Sequence, residues 1–329
     1  MGSECRKQGK EVSERIPMEN VYIGIDVSKS WLDVYIHPAG LEFRVTNDRP
    51  NVGGLIRQIT DWAVELIVVE ATGKWHRRVQ RCLHEARHRI AVVNPYRSRE
   101  LADALGFLAK TDTIDARVLT LFAMHVGPRP PPPPSAEIEA LKELVAARRE
   151  GLREVTALKN RLSVTGHQLC VRQLQVRLNL LQRHLKALEK EIRAIITTNP
   201  MITKRAAIIS SIPGVGPVSL MTLIAGLDEL KACPRTQIAA LTGVAPMNWD
   251  SGQMRGRRLI KGGKAHVRAV LYMTAVAAVR SNSGYKAFYK RLTENGKKLK
   301  VALTADMRKI VILANTLINE DRMWSPTPP

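Results

Sequence analysis

Cysteine is scarce in this chain. Cys5, Cys82, Cys170 and Cys233 are the only four in 329 residues, and none forms a C-x-x-C pair. That spacing excludes a disulfide framework and a zinc-ribbon pattern. The eight histidines are scattered. His76, His84 and His88 can share part of a helix surface, but no cysteine or carboxylate pattern completes a metal site around them. Long apolar runs are also missing. Ala269–Val279, flanked by Arg268 and Arg280, is too short to cross a bilayer. No secretory signal precedes Val21, and Met1–Pro17 reads as a disordered tail. Acids are in deficit, with 30 Asp and Glu against 51 Lys and Arg, a net charge of +21. Such an excess calls for a polyanionic partner, and nucleic acid fits because each neutralised phosphate releases a condensed counterion. An anionic membrane surface would need an amphipathic anchor, which is absent. The expected location is the cytoplasm, nucleoid-associated in a prokaryote.

Hydrophobic residues make up 45% of the chain, enough for two compact domains and a connector. Val21–Val27, Trp31–His37 and Leu41–Thr46 read as strands able to pair as a meander. Thr46-Asn47-Asp48 offers helix caps, and Val52–Val64 has helical spacing. Leu66–Val69, ending in Glu70, suits a central strand buried on both faces. Trp75–Arg87 reads as a helix, Ile90–Val93 as another buried strand, and Pro95 opens a further helix. This order is that of an RNase-H-like α/β domain. The run Pro128-Arg129-Pro130-Pro131-Pro132-Pro133-Pro134 forbids helix and marks a semi-rigid boundary. Beyond it, Leu141, Leu144, Leu152, Val155, Leu158 and Leu162 recur at three- and four-residue steps. So do Leu174, Leu178, Leu181, Leu185, Leu188, Ile192 and Ile195. The pattern predicts a helical hairpin or coiled coil broken near Thr165-Gly166, serving as a spacer or an oligomerisation element. Met201–Ile209, Val218–Gly226, Ala265–Arg280 and Val301–Ile318 read as helices. The expected segments are a tail (1–17), an α/β domain (18–127), a proline-rich linker (128–135), the hairpin (136–200), a basic helical domain (201–290) and a C-terminal helix with tail (291–329).

Asp26 is expected at the end of the first strand and Glu70 at the end of the fourth. In Lys110-Thr111-Asp112-Thr113-Ile114-Asp115-Ala116, Asp112 and Asp115 share a helix face. Four such acids on one rim can hold two hard divalent cations and align a nucleophile with a phosphate. Without metal they repel one another, which itself favours a cation there. Each also has a plainer reading: Asp26 as a turn residue, Glu70 as a solvated strand end, and Asp112 as an N-cap with Asp115 completing a capping box. Asp33, Asp48, Asp61 and Asp103 lack that placement and are read as surface residues.

Pro213-Gly214-Val215-Gly216-Pro217 lies between helices. It reads as a phosphate-contacting hairpin through Gly214 and Gly216, or as a plain tight turn. From Gly243 the chain reaches Asp250-Ser251-Gly252 and then a basic run with Arg255, Arg257, Arg258, Lys261, Lys264 and, later, Arg268. Those cations suit phosphate neutralisation. Ser251, beside a glycine at the head of the run, is a candidate nucleophile at phosphorus, and otherwise a loop serine in a phosphate-binding patch.

Together, Gly24-Ile25-Asp26-Val27-Ser28-Lys29, Glu70-Ala71-Thr72-Gly73, Lys110–Arg117, Pro213-Gly214-Val215-Gly216 and the Gly243–Lys264 block resemble the DEDD/serine transposases of the insertion-sequence-110 family. The resemblance spans roughly Val21 to Gly284. It implies a RuvC-like domain, a coiled-coil linker and a mostly helical transposase domain with a helix-hairpin-helix. It also implies a divalent-metal site, expected to take Mg, at Asp26, Glu70, Asp112 and Asp115, and a covalent role for Ser251. Its implied partners are donor and target DNA, a structured guide ("bridge") RNA, and further copies of the chain as dimers and tetramers. The proline run and the N-terminal tail depart from the pattern. Two other readings stay open: a junction-type nuclease using water, and a non-catalytic nucleic-acid scaffold.

Overall fold

The computed structural model describes residues 20–107, 109, 111–228, 230, 233–248, 250–252, 254–256 and 258–326. The expected tail at 1–17 lies outside the described residues. The chain divides into two compact units, residues 1–133 and 134–329.

The first unit is built on a mixed five-stranded sheet. Strands β1 (Val21–Val27), β2 (Trp31–His37) and β3 (Leu41–Thr46) pair antiparallel. Then β4 (Val64–Glu70) and β5 (Ile90–Val93) add in parallel beside β1, giving the order β3-β2-β1-β4-β5. Alternation along β1 decides which helices cover which face. Val21, Ile23, Ile25 and Val27 pack with α1 (Arg49–Ile59) and α2 (His76–Glu85). The other face, with Leu66, Val68, Ala91 and Val93, packs on Leu119, Phe122 and Ala123 of α4 (Asp112–Val126), and Leu101 of α3 (Pro95–Ala104) joins it. The helix expected over Val52–Val64 is shorter and earlier. Asp48 caps α1 by accepting from the Asn51 amide, Pro50 sits in its first turn, and the last five predicted residues turn and enter β4.

In the second unit, α5 (Ala136–Val164) and α6 (Gln168–Thr198) form the expected antiparallel hairpin. Val155, Leu158, Leu178 and Leu185 form its seam. Gly151 lets the helices close, since a Cβ there would stand 2.9 Å from the Leu185 side chain. Arg148 and Glu189 pair across the hairpin at 2.7 Å. Helices α7 (Pro200–Ser210), α8 (Pro217–Gly226), α9 (Arg235–Leu241), α10 (Ala265–Ser281), α11 (Ser283–Glu294) and α12 (Leu299–Asn319) surround a core that also takes in Ile138, Leu141, Ile192 and Ile196 of the hairpin. The sequence left 227–264 as loop and did not anticipate α9, α11, or the short strands β6 (Pro246–Met247), β7 (Asp250–Ser251), β8 (Met254–Arg255) and β9 (Leu259–Ile260). Among the described residues, Cys82, Cys170 and Cys233 form no disulfide. Among the described residues, no helix is long and apolar enough to cross a membrane.

One core position runs against its surroundings. Asp306 on α12 is fully enclosed, and among the described residues neither carboxylate oxygen meets a hydrogen-bond donor. Burial pushes its carboxyl up from 3.8 to about 6, with Lys309 opposing. A carboxyl raised in the fold keeps its proton where the unfolded chain loses it, so stability falls as pH rises from 3.8 to about 6 and stays lower above. Asp306→Asn should therefore stabilise this unit by up to about 3 kcal/mol at pH 8, the linkage free energy between a carboxyl at 3.8 unfolded and about 6 folded. The gain should vanish near pH 4. Urea midpoints at the two pH values measure it, and an equal shift at both would contradict it.

Candidate functional site

Register sets the first site. Asp26 on β1 pairs with Asp33 on β2, and Asp33 with Arg44 on β3. Residues directly opposite share a face. Ile25 pairs with Val69 of β4, so Glu70 ends its strand beside Asp26. Leu66, Val68 and Glu70 alternate onto the face covered by α3 and α4, as do Tyr22, Gly24 and Asp26 on β1. The result is one row, Arg44, Asp33, Asp26 and Glu70, crossing four strands at one rim.

Helix α4 completes the row because Gly24 has no side chain. A Cβ on Gly24 would stand 2.0 Å from the Ala116 carbonyl oxygen and 2.5 Å from the Thr120 amide. The helix is therefore laid directly against β1 at Ala116 and Thr120, and its first turn, just before them, carries Asp112 and Asp115. The N-cap is Thr111, which accepts from the Ile114 amide, so the capping role considered for Asp112 is not the one it has.

The electrostatics record the convergence. The Asp26 carboxyl is pushed up from 3.8 to about 7, first by burial, then by Glu70, Asp115 and Asp112, while the Val27 amide donating to it at 3.0 Å pulls the other way. Ser98 of α3, itself buried, donates to Glu70 Oε2 at 2.7 Å. The Arg44 guanidinium donates to Asp33 at 2.8 Å and to Asp112 at 2.7 Å, and the two carboxylates hold its pKa above the usual value. Asp33, expected at the surface, is thus buried and ion-paired. Among the described residues, no three His, Cys, Asp or Glu side chains are drawn together closely enough to enclose a metal ion. The acids are neighbours in one field rather than a closed cage, with Asp112 held by Arg44. Gly24, Arg44 and Ser98 were missed from sequence. Only a register linking Arg44, Asp33 and Asp26 would have exposed the second.

Ser251 lies in the second unit, on a β-ribbon between α9 and α10. Strands β6 and β9 pair at its base, and β7 and β8 further out, with Ser251 opposite Met254 and Gly252 in the turn at φ +55°. Asp250 accepts from the Gly256 amide at 3.1 Å. Ser251 is exposed, and so are Met247, Met254, Leu259 and Ile260. The ribbon closes where Gly243 meets Gly262-Gly263, since a Cβ on Gly263 would stand 2.2 Å from the Gly243 amide nitrogen.

The predicted phosphate ligands divide. Arg258 and Lys261 are exposed. Lys264 is half-buried and donates to the Gly226 carbonyl at 2.8 Å, and Arg268 donates to Gly262 at 2.7 Å. Arg255 belongs to β8, and Arg257 lies outside the described residues. Gly214 has φ +84°, and a Cβ there would stand 2.5 Å from the Thr274 carbonyl oxygen of α10, so packing accounts for this glycine. Gly216 faces open space at the N-cap of α8.

Two family models match the chain. A transposase model for the DEDD enzymes of IS110 covers residues 23–168, and one described as the transposase IS116/IS110/IS902 family covers 206–290. The pilin gene-inverting proteins of Moraxella bovis and Moraxella lacunata are 24% and 25% identical, each over 320 residues, 93% of this chain and 98% of theirs. The 44.8 kDa protein of insertion element IS116 from Streptomyces clavuligerus is 28% identical over 153 residues, 45% of this chain and 37% of its own. The two models together take in more than half of the residues, in chain order. The chain belongs to the IS110 family of transposases.

Proposed function

We propose that this transposase cuts and rejoins DNA through a phosphoserine link at Ser251, with a divalent cation held by Asp26, Glu70, Asp112 and Asp115. The observation that carries the metal half is the Asp26 carboxyl, raised to about 7 among three other acids. An all-carboxylate donor set suits a hard cation such as magnesium. Bound there, the cation would neutralise the acids and polarise a phosphoryl oxygen. The strand order β3-β2-β1-β4-β5, with acids at the ends of β1 and β4, supports an RNase-H-like, RuvC-like domain. The α7–α8 turn supports a helix-hairpin-helix.

For the covalent half, the Ser251 oxygen bonds to phosphorus as the bond to one sugar oxygen breaks, and that oxygen leaves as a hydroxyl carrying the proton. Rejoining reverses the exchange: a sugar hydroxyl attacks and the serine regains its proton. One phosphodiester is exchanged for another, so no external energy source is needed. The exposed ribbon presents the serine, and Arg258 and Lys261 supply charge for the phosphorane. The names of the two full-length relatives describe inversion of a gene, which requires that every cut be rejoined. That favours strand exchange over a hydrolytic junction nuclease. A guide RNA follows from the family resemblance. The exposed Arg172, Arg183, Lys186, Lys190 and Arg193 of α6 offer it, or DNA, a basic face, and the hairpin offers a surface for self-association.

The metal reading is tested by pH. A cation must displace the Asp26 proton, so Mn2+ affinity should rise about tenfold per pH unit below 7 and level off above it. In the metal-free protein the same raised carboxyl makes stability fall as pH climbs from 3.8 to about 7. Titration calorimetry between pH 5.5 and 8.5 measures the first effect. Affinity already flat at pH 5.5, or unchanged in Asp26→Asn, would reject it.

A further inference from the structure

A cavity of about 310 Å3 opens between α5, α8 and the start of α10. Its polar lining is Lys142 and Arg149 from α5, Thr222 from α8, and Lys264 and His266 from α10, over a floor of small apolar residues. No acid lines it among the described residues. Two of the cations already have partners. Lys142 pairs with Asp228 at 2.8 Å, and Lys264 donates to the Gly226 carbonyl. Arg149 differs. One terminal nitrogen reaches Glu150 at only 3.4 Å, and among the described residues its buried Nε has no acceptor. The Arg149 side chain is nevertheless 41% exposed and lines the cavity, so its guanidinium fork is within reach of an incoming acceptor. His266 lies on the same wall and feels the same cations. Burial first, then the charges of Arg149 and Lys264, hold its pKa below the ordinary value. A neutral imidazole still offers one N–H donor. Helix geometry also leaves the amides of Ala265, His266 and Val267 without intrahelical acceptors, and the N-cap residue, Lys264, supplies none.

We propose that this cavity is a phosphate pocket that seats one backbone phosphate of a nucleic-acid strand, with Arg149 as its main donor and His266 beside it. A guanidinium fork, an imidazole N–H and a threonine hydroxyl suit the several oxygens of a phosphate. The volume exceeds that of the phosphate alone and leaves room for the flanking sugars. The proposal rests on the nucleic-acid-exchanging function above and adds residues to it that belong to neither the acid row nor the basic run after Ser251.

The test uses the full chain and a short fluorescent DNA duplex, whose backbone is the ligand whatever its sequence. Anisotropy titrations at several KCl concentrations give affinity and its salt slope. Arg149→Gln should weaken binding about tenfold and lower the slope by about one contact, while Arg149→Lys should recover most of the slope. Circular dichroism melting confirms that both variants fold. The His266 ring proton resonances should move on adding duplex. A folded Arg149→Gln protein with an unaltered slope overturns the pocket. So does a His266 resonance that moves with inorganic phosphate but not with duplex, since the cavity would then hold a free anion. Either result leaves the Ser251 chemistry standing. By contrast, wild-type protein whose duplex binding ignores salt would reject the nucleic-acid reading itself.

Discussion

Ser251→Ala should abolish the covalent protein–DNA adduct and lower strand exchange by about a thousandfold or more, the scale of losing a nucleophile for which nothing substitutes. Duplex affinity should stay within about twofold, because phosphate neutralisation by the surrounding cations carries the binding. The ribbon geometry makes this a clean experiment. Ser251 is exposed, its strand partner is Met254, and no core side chain depends on it. Loss of a hydroxyl there removes chemistry and leaves packing alone. The assay is denaturing electrophoresis of protein incubated with its element's DNA, followed by alkali, which releases a phosphoserine link by elimination. Asp26→Asn should also lose the adduct, although it lies in the other unit. A Ser251→Ala protein that still exchanges strands would return the serine to a phosphate-patch role and favour attack by water.

Gly24→Ala should be the most damaging single methyl in the first unit. The added Cβ would stand 2.0 Å from the Ala116 carbonyl oxygen and 2.5 Å from the Thr120 amide. Both are backbone atoms of α4, so no side chain can swing away; the helix must move off the sheet. Overpacking against a fixed backbone belongs to the rare substitutions costing about 4 kcal/mol or more. That is a large share of a domain's usual 5–15 kcal/mol. The melting temperature of this unit should fall by more than about 10 °C. The chemical consequence follows from position. Residue 24 lies two before Asp26 on the same face, and Ala116 lies one after Asp115, so the displacement pulls Asp112 and Asp115 away from Asp26. Mn2+ binding should be lost even at temperatures where the variant is folded. A melting temperature within about 2 °C of wild type would show that α4 is not seated as described.

Much of this architecture was legible in the sequence because alternation and caps are local signals. The bounds of β1 and β2 follow from alternating, β-rich runs, those of β3 from a short strand before the helix caps, and those of β5 from a short apolar run. The break between α5 and α6 falls at Thr165-Gly166, where the leucine repeat is interrupted. What the sequence could not supply is register and close approach. Asp33 looks like any solvated strand acid until pairing sets it between Asp26 and Arg44. Gly24 lies inside the strand read from sequence, but nothing local shows that a helix from ninety residues away keeps it small. The 227–264 segment misled for another reason. Its strands are two residues long and expose Met247, Met254, Leu259 and Ile260, so no hydrophobic alternation marks them. Lys264 and Arg268 were read as phosphate ligands by charge alone. Both donate to backbone carbonyls, a use that composition cannot reveal.

The central claim is that four acids at one rim of the sheet share a divalent cation. Anomalous diffraction from crystals grown with Mn2+ tests it without knowing the target DNA. The claim predicts a manganese peak ligated by Asp26 and Glu70 together with Asp112 or Asp115, with the Arg44 guanidinium drawn off Asp112, and no such peak in Asp26→Asn. Manganese bound elsewhere, or a rim that stays empty at saturating Mn2+ above pH 7 with Arg44 still on Asp112, would contradict it.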